Sequence, residues 1–291
     1  MGKKTSRIFL YAVIFGLAIL AIAAFFLFRQ KKSRKEPADL NYAQVLNGEE
    51  SKPLAGQYPE RSAAIPILMY HHVGQAPAQA NPVRRDMTVS ASEFEAQAAW
   101  LKKAGYGCIN LQNLFDFSRG NFVLPDKPVI FTFDDGYADV FENAVPVLKK
   151  YGFTGSFAII TRFAGQTQGD NAYASWPSIA KAFDQGMEIV SHTQNHFDGR
   201  NPKFSSEYIF QNLDGSISDI YARLGIKTGI LIYPYGHYTP DYITQAKAAG
   251  FFMGITVHEG KKINLDNLME IPRLRVHGSA DLEKFKNLVE G

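Results

Sequence analysis

The sequence predicts an α/β protein built on a mostly parallel sheet, open or closed into a barrel, and preceded by one N-terminal transmembrane helix. Three observations carry this expectation. Short β-branched or aromatic runs alternate with amphipathic stretches from residue 65 onward. Two of those stretches end in glycine just before an apolar run, in Lys150-Tyr151-Gly152 and Ala248-Ala249-Gly250, the position where a helix turns back into a strand. Residues 8–28 are 21 uncharged, largely apolar positions, enough to cross a hydrocarbon core of about 30 Å.

Along the chain, the run IPILMY predicts a strand over 65–70 and the Ala- and Glu-rich stretch behind it a helix over 91–104. Val-Ile-Phe-Thr-Phe gives a strand over 129–133, followed by a helix over 139–151. The alternation continues with strands over 155–161, 187–191, 229–233 and 251–257 and helices over 175–185, 205–224, 240–249 and 280–289. Strands separated by helices cannot pair as hairpins, which makes the sheet largely parallel. Active groups then belong at the C-terminal ends of the strands.

These readings divide the chain into a membrane anchor over 1–29, a polar tether without apolar periodicity over 30–64, and a body over 65–291. The apolar run continues past Ala21-Ile22-Ala23 to Phe28, favouring an uncleaved anchor over a signal peptide. Five basic residues follow the helix and three precede it, a small difference that by itself would keep the body in the cytoplasm. The first 35 residues hold eight of the 31 Lys and Arg and no acid. The rest therefore carries 23 basic against 28 acidic residues, a mildly acidic body that argues against a nucleic-acid partner. With Cys108 as the one cysteine, no intramolecular disulfide forms and any metal site must come from His, Asp and Glu.

Three motifs fall at expected strand ends. Phe133-Asp134-Asp135-Gly136 sets two carboxylates side by side; an Asx turn is the plain alternative. His192-Thr193-Gln194-Asn195-His196 spaces two imidazoles so that a helical turn would put them on one face, either as surface histidines or as a chelating pair. With Asp134 or Asp135 at the same end of the sheet, the set becomes two His and a carboxylate, leaving coordination positions open to water. Tyr233-Pro234-Tyr235-Gly236 reads by itself as a Pro-Gly turn.

In this order the motifs resemble those of the polysaccharide deacetylases with a nodulation-protein-B homology domain, carbohydrate esterase family 4. The resemblance spans about residues 65–277, and Pro66-Ile67-Leu68-Met69-Tyr70-His71-His72 is similar to the subgroup acting on poly-N-acetylglucosamine. It implies a distorted (β/α) barrel, a divalent metal on Asp135, His192 and His196 (zinc first, with cobalt, nickel or iron as alternatives), Asp134 as general base and the backbone N–H of Tyr235 as oxyanion donor. It also implies a histidine general acid near the C-terminal strand, for which His277 is the candidate, although two residues separate it from Leu274 where the family has one. His71 is the alternative acid or a substrate contact. The arginine that often precedes the third motif is absent, and Arg273 is expected to brace Asp134 in its place or to contact substrate. Tyr233, Trp176 and Tyr173 are further candidate sugar contacts, with His237 and Tyr238 along the same groove.

The implied activity is removal of N-acetyl groups from N-acetylglucosamine units of a cell-surface polysaccharide, poly-N-acetylglucosamine ahead of peptidoglycan, by a single-pass membrane protein whose body is extracytoplasmic. That substrate location outweighs the small charge difference around the helix. The expected partners are the N-acetylated polysaccharide and the membrane, and the oligomeric state is left open. Rival readings are an iron oxygenase on the same triad and a glycan-binding protein without catalysis, against which stands the second carboxylate beside the ligand.

Overall fold

The structure is a computed structural model that describes residues 62–291. From its start the chain forms β1 (Ser62–Ala64), β2 (Ile67–Tyr70), β3 (His72–Val73), α1 (Pro82–Asp86), β4 (Thr88–Val89), α2 (Ala91–Lys103), β5 (Gly107–Ile109), α3 (Leu111–Ser118), β6 (Pro128–Phe133) and α4 (Ala138–Tyr151). It continues through β7 (Ser156–Ile159), β8 (Thr167–Gln168), β9 (Asn171–Ala172), α5 (Trp176–Asp184), β10 (Glu188–Ser191) and α6 (Ser206–Leu224). The last elements are β11 (Ile230–Ile232), α7 (Pro240–Ala249), β12 (Met253–Glu259), β13 (Lys262–Asn264), β14 (Ile271–Arg275) and α8 (Leu282–Glu290).

The main sheet runs β2-β14-β12-β11-β10-β7-β6, every pair parallel, and β6 returns to β2 through Ile67↔Ile130 to Tyr70↔Phe133. The sheet is thus a closed barrel of seven strands, which decides between the open and closed forms. β5 pairs with the first half of β6, on the edge that β7 takes at Thr132 and Phe133, so the wall splits at its N-terminal end. α3 follows from β5 and covers that end: the Leu111 N–H donates to Ser156 Oγ and Glu188 Oε2, and the Gln112 N–H to Glu188 Oε1. A carboxylate at a helix N-terminus satisfies amides that have no intrahelical partner.

Burial explains the strand sequences. Val129 to Phe133 are all buried, as strands covered on both faces must be. Phe131 and Phe133 join Tyr70, Phe94, Val140 and Leu148 in the layer under α2 and α4, with Tyr70 and Phe133 stacked at 5.4 Å and Phe133 and Phe157 at 4.6 Å. Alternation turns Thr132 and Asp134 the other way, into the barrel. Helix starts are capped by Ser90, Ser175, Ser205, Thr239 and Asp281, and α4, α6 and α7 end at left-handed Gly152, Gly225 and Gly250.

The structure adds elements to those expected. β5 and α3 lie in a stretch with no predicted element, because Gly107-Cys108-Ile109 is too short to give a period. β1 lies within the span read as tether: Ser-Ala-Ala has no apolar signal, and its strand state comes from antiparallel pairing with Lys262 to Asn264. The expected transmembrane helix over 8–28, and the tether up to residue 61, lie outside the described residues. Among the described residues no helix is long and apolar enough to cross a membrane.

Candidate active site

The three motifs converge at the C-terminal mouth of the barrel. Asp134 and Asp135 follow β6, His192 follows β10 and Tyr235 follows β11. The mouth opens into a cleft of about 710 Å³ whose walls include His71, Asp134, Asp135, Tyr137, Tyr173, His192, His196 and Tyr235. The four non-glycine residues with positive φ among the described residues are Asp135 (72°), Thr193 (68°), His196 (53°) and Tyr235 (59°). Each such backbone costs on the order of 1–3 kcal/mol, and all four belong to the three motifs. Here the pair His192 and His196 is not on a helix: left-handed turns, not helical spacing, bring the imidazoles together.

Asp135 Oδ1 lies 3.2 Å from His192 Nε2 and 3.2 Å from His196 Nε2. His192 Nδ1 stands 2.7 Å from the Ile232 carbonyl; a carbonyl only accepts, so Nδ1 carries the proton and Nε2 of the neutral ring presents a lone pair. Asp135 Oδ1 is buried and has no hydrogen-bond partner. The buried carboxylate oxygen and the two imidazole nitrogens facing it are close enough to share one cation, and the three side chains fit a divalent metal. Burial works to raise the Asp135 carboxyl, but His192 and His196 against it hold it well below the usual carboxylate range. Burial likewise works against a charged His192, and Asp135 reverses that and raises it.

Asp134 is held by a different group. Arg273, fully buried, reaches through the barrel interior from β14 and binds the carboxylate with both guanidinium nitrogens, Nη1 to Oδ1 at 2.7 Å and Nη2 to Oδ2 at 2.8 Å. Its Nη1 also donates to Thr132 Oγ1 at 3.0 Å and its Nε to the Thr256 carbonyl at 2.8 Å. That carbonyl is available because the register of β12 on β14 slips between Ile255 and Glu259, a bulge that leaves backbone groups unpaired by the ladder. Burial works to raise Asp134 but the Arg273 charge overrides it and holds the carboxyl below its usual range. Asp134 is therefore ionised at neutral pH, beside the cation site and not part of it.

Other expected site residues fall differently. His71 lines the cleft with Nε2 3.9 Å from Asp134 Oδ2, and burial pushes its imidazole down to about 4. His277 is on the surface, half exposed and paired with Asp86 at 3.0 Å, and it is not among the residues that line the cleft. Tyr233 is buried, with its hydroxyl donating to the Met269 carbonyl, and Arg273 is enclosed; neither lines the cleft. Trp176 begins α5 away from the cleft walls, with the Arg223 guanidinium 5.9 Å from its ring. Tyr173 and His237 do line the cleft, whereas Tyr238 bonds Glu270.

Sequence reasoning missed Tyr137 and its support. Its ring stacks on His72 at 3.7 Å, and His72 Nδ1 lies 2.9 Å from Asp139 Oδ2. The visible signal was an aromatic and an acid directly behind Asp-Asp-Gly. Val83, Tyr235 and Val257 are exposed apolar side chains on the cleft walls, the kind of surface that packs on a sugar ring.

An ionised carboxylate fixed beside three side chains that can hold a cation, at the mouth of a parallel barrel, is an arrangement able to activate solvent for hydrolysis. Comparison with known proteins narrows this. The family described as polysaccharide deacetylase matches residues 123–254. The poly-beta-1,6-N-acetyl-D-glucosamine N-deacetylase of Staphylococcus aureus (strain MSSA476) is 27% identical over 263 residues, 84% of this chain and 88% of that protein. The Streptococcus pyogenes deacetylase PplD in complex with acetate superposes with a TM-score of 0.69 at 26% identity, covering 78% of this chain and 98% of that one. IcaB from Ammonifex degensii shares the fold with a TM-score of 0.67 at 23% identity, over 78% and 97% of the two chains. The chain carries a polysaccharide deacetylase domain of the carbohydrate esterase family 4 type, and the relatives it resembles are deacetylases acting on carbon–nitrogen bonds.

Proposed function

We propose that this enzyme is a metal-dependent N-deacetylase of N-acetylglucosamine units in a cell-surface polysaccharide, with poly-N-acetylglucosamine as the polymer. The observation that carries the metal is the orphaned Asp135 Oδ1, 3.2 Å from two imidazole nitrogens. Two nitrogens and one carboxylate oxygen suit zinc, with cobalt, nickel or iron as substitutes. The polymer is supported by the likeness to the Staphylococcus aureus enzyme across 84% of this chain. A bound zinc supplies Lewis acidity and lowers the pKa of water toward about 7.

The chain's own residues supply the proton path and the positioning. Asp134, kept ionised by Arg273, accepts the proton of the attacking water at a carboxylate oxygen. The strained turn at Tyr235 presents its backbone N–H to the carbonyl oxygen as charge develops there. His71, neutral because it is buried and 3.9 Å from Asp134, takes up the proton that the base collects and passes it to the departing amine nitrogen. Tyr173 and Tyr235 flank the cleft and hold the sugar. Because such a polymer lies outside the cell, the body is extracytoplasmic, held to the membrane by the helix expected over 8–28.

The test is acetate release from N-acetylglucosamine oligomers and from peptidoglycan, after chelation and again after adding Zn, Co or Ni. Activity on the β-1,6 oligomers that returns with metal is expected. Chelator-resistant turnover would remove the metal, and release from peptidoglycan alone would remove the polymer.

A further inference from the structure

α6 carries a polar stripe where an amphipathic helix would present apolar residues. Asn212, Gly215, Ser216 and Asp219 are spaced i, i+3, i+4 and i+7 and so share one side of the helix. Asn212 and Ser216 are buried. Every residue of the stripe meets the segment that ends β10 and carries His192 and His196. Asn212 Oδ1 accepts the Gln194 N–H at 2.9 Å, Ser216 Oγ lies 2.7 Å from Ser191 Oγ, and Asp219 Oδ2 accepts Gln194 Nε2 at 2.9 Å and Thr161 Oγ1 at 2.6 Å. Ser191 Oγ accepts the Thr193 N–H, and Thr193 Oγ1 the His196 N–H, each at 3.0 Å. From the opposite side the Thr161 and Arg162 N–H groups donate to the Thr193 and Gln194 carbonyls.

Gly215 is the stripe's least expected member, because glycine weakens a helix interior. Its place is explained by the Gln194 carboxamide, which lies flat on the helix: a Cβ at 215 would stand 2.6 Å from its carbon, oxygen and nitrogen. The glycine therefore lets that amide reach Asp219. The segment being held includes two left-handed residues, Thr193 and His196, and such backbones persist only where surrounding structure fixes them.

We propose that the Asn212, Gly215, Ser216 and Asp219 stripe is a positioning template that sets the metal affinity of the Asp135, His192 and His196 site by locking the 192–196 loop in its left-handed form, a proposal that rests on the metal-dependent reading above. None of these four residues lines the cleft or belongs to the triad. They act through the loop, as supporting hydrogen bonds do at metal sites, where their loss commonly weakens affinity about 10- to 100-fold.

The experiment is zinc titration of the full-length apoprotein against a competing chelator, with thermal melts of the same metal-free samples. Gly215→Ala is expected to lower zinc affinity about 10-fold or more while the metal-free melting temperature holds or rises, since alanine is the better helix former. Asp219→Ala is expected to lose affinity similarly and Asp219→Asn, which keeps an acceptor, to recover most of it. In a Gln194→Ala background, Gly215→Ala should change affinity by less than about twofold, because both substitutions act through one amide. Unchanged zinc affinity in Gly215→Ala, or an affinity loss that appears only with a lowered melting temperature, overturns the proposal. A wild-type chain that binds no zinc overturns instead the metal-dependent reading, and the two failures are distinct.

Discussion

Replacing Arg273 by methionine isolates the charge that holds the base. The guanidinium and the Asp134 carboxylate are 0% and 4% exposed, and the arginine makes four hydrogen bonds, two to Asp134 and one each to Thr132 and Thr256. Arg273→Met removes one partner of a buried pair and leaves the other enclosed, which costs about 3–5 kcal/mol. For a domain of this size each kcal/mol moves the melting temperature by about 2–4 °C, so a fall of about 6–20 °C is expected at pH 7. The pH dependence gives the sharper signature. In the wild type Asp134 is lowered by Arg273 against the effect of burial, so its stabilisation is present above the unfolded carboxyl pKa of about 3.9 and fades as pH falls through the folded value. Without Arg273, burial raises the carboxyl above its unfolded value, and protonation relieves the variant as pH falls. The deficit must therefore be largest at pH 7 and shrink toward pH 4. Melts of both proteins with chelator present, across that range, decide it; a deficit that does not change with pH, or one under about 1 kcal/mol at pH 7, refutes the assignment of Arg273 as the group that ionises Asp134.

Asp134→Asn keeps the triad and should still bind zinc while turnover falls about 100- to 10,000-fold, which zinc titration and acetate release on one preparation would show. His71→Ala should lower kcat by about 100-fold or more, whereas His277→Ala, at an exposed side chain paired with Asp86, should leave kcat essentially at the wild-type level; steady-state rates of the two variants side by side test where the acid lies. The Cys108 thiol, pushed up to about 12 by burial and donating to the Thr154 carbonyl at 3.1 Å, should resist iodoacetamide at pH 8 in the folded enzyme and react on denaturation, as followed by intact mass.

The site was legible where its chemistry is contiguous. Asp134 with Asp135, and His192 with His196, are short motifs at strand ends, and a parallel alternation puts strand ends together. Arg273 was visible as a charge that the third motif lacked, yet its enclosure was not, since it meets a residue 139 positions away through a bulge that no local pattern encodes. Tyr233 and Trp176 were read as sugar contacts from residue type; their directions are set by packing, into the core for one and toward Arg223 for the other. His277 matched by its place after the final strand, but its side chain pairs with Asp86 on the surface and does not line the cleft. Among the fold elements, the long alternating segments were clear and β5 with α3 was not, because a three-residue strand gains its state from β6 and not from its own sequence. The stripe on α6 was hidden for a similar reason: Asn, Gly, Ser and Asp lower helix propensity, and only the loop above them explains their presence.

The proposed chemistry needs one cation held jointly by Asp135, His192 and His196. Anomalous diffraction from crystals of the enzyme soaked in zinc measures this directly. A single peak is expected about 2.0–2.2 Å from both imidazole Nε2 atoms and from an Asp135 carboxylate oxygen, with Asp134 still on Arg273. No peak among these three side chains in zinc-saturated crystals, or a zinc bound through Asp134 with Asp135 turned away, would contradict it.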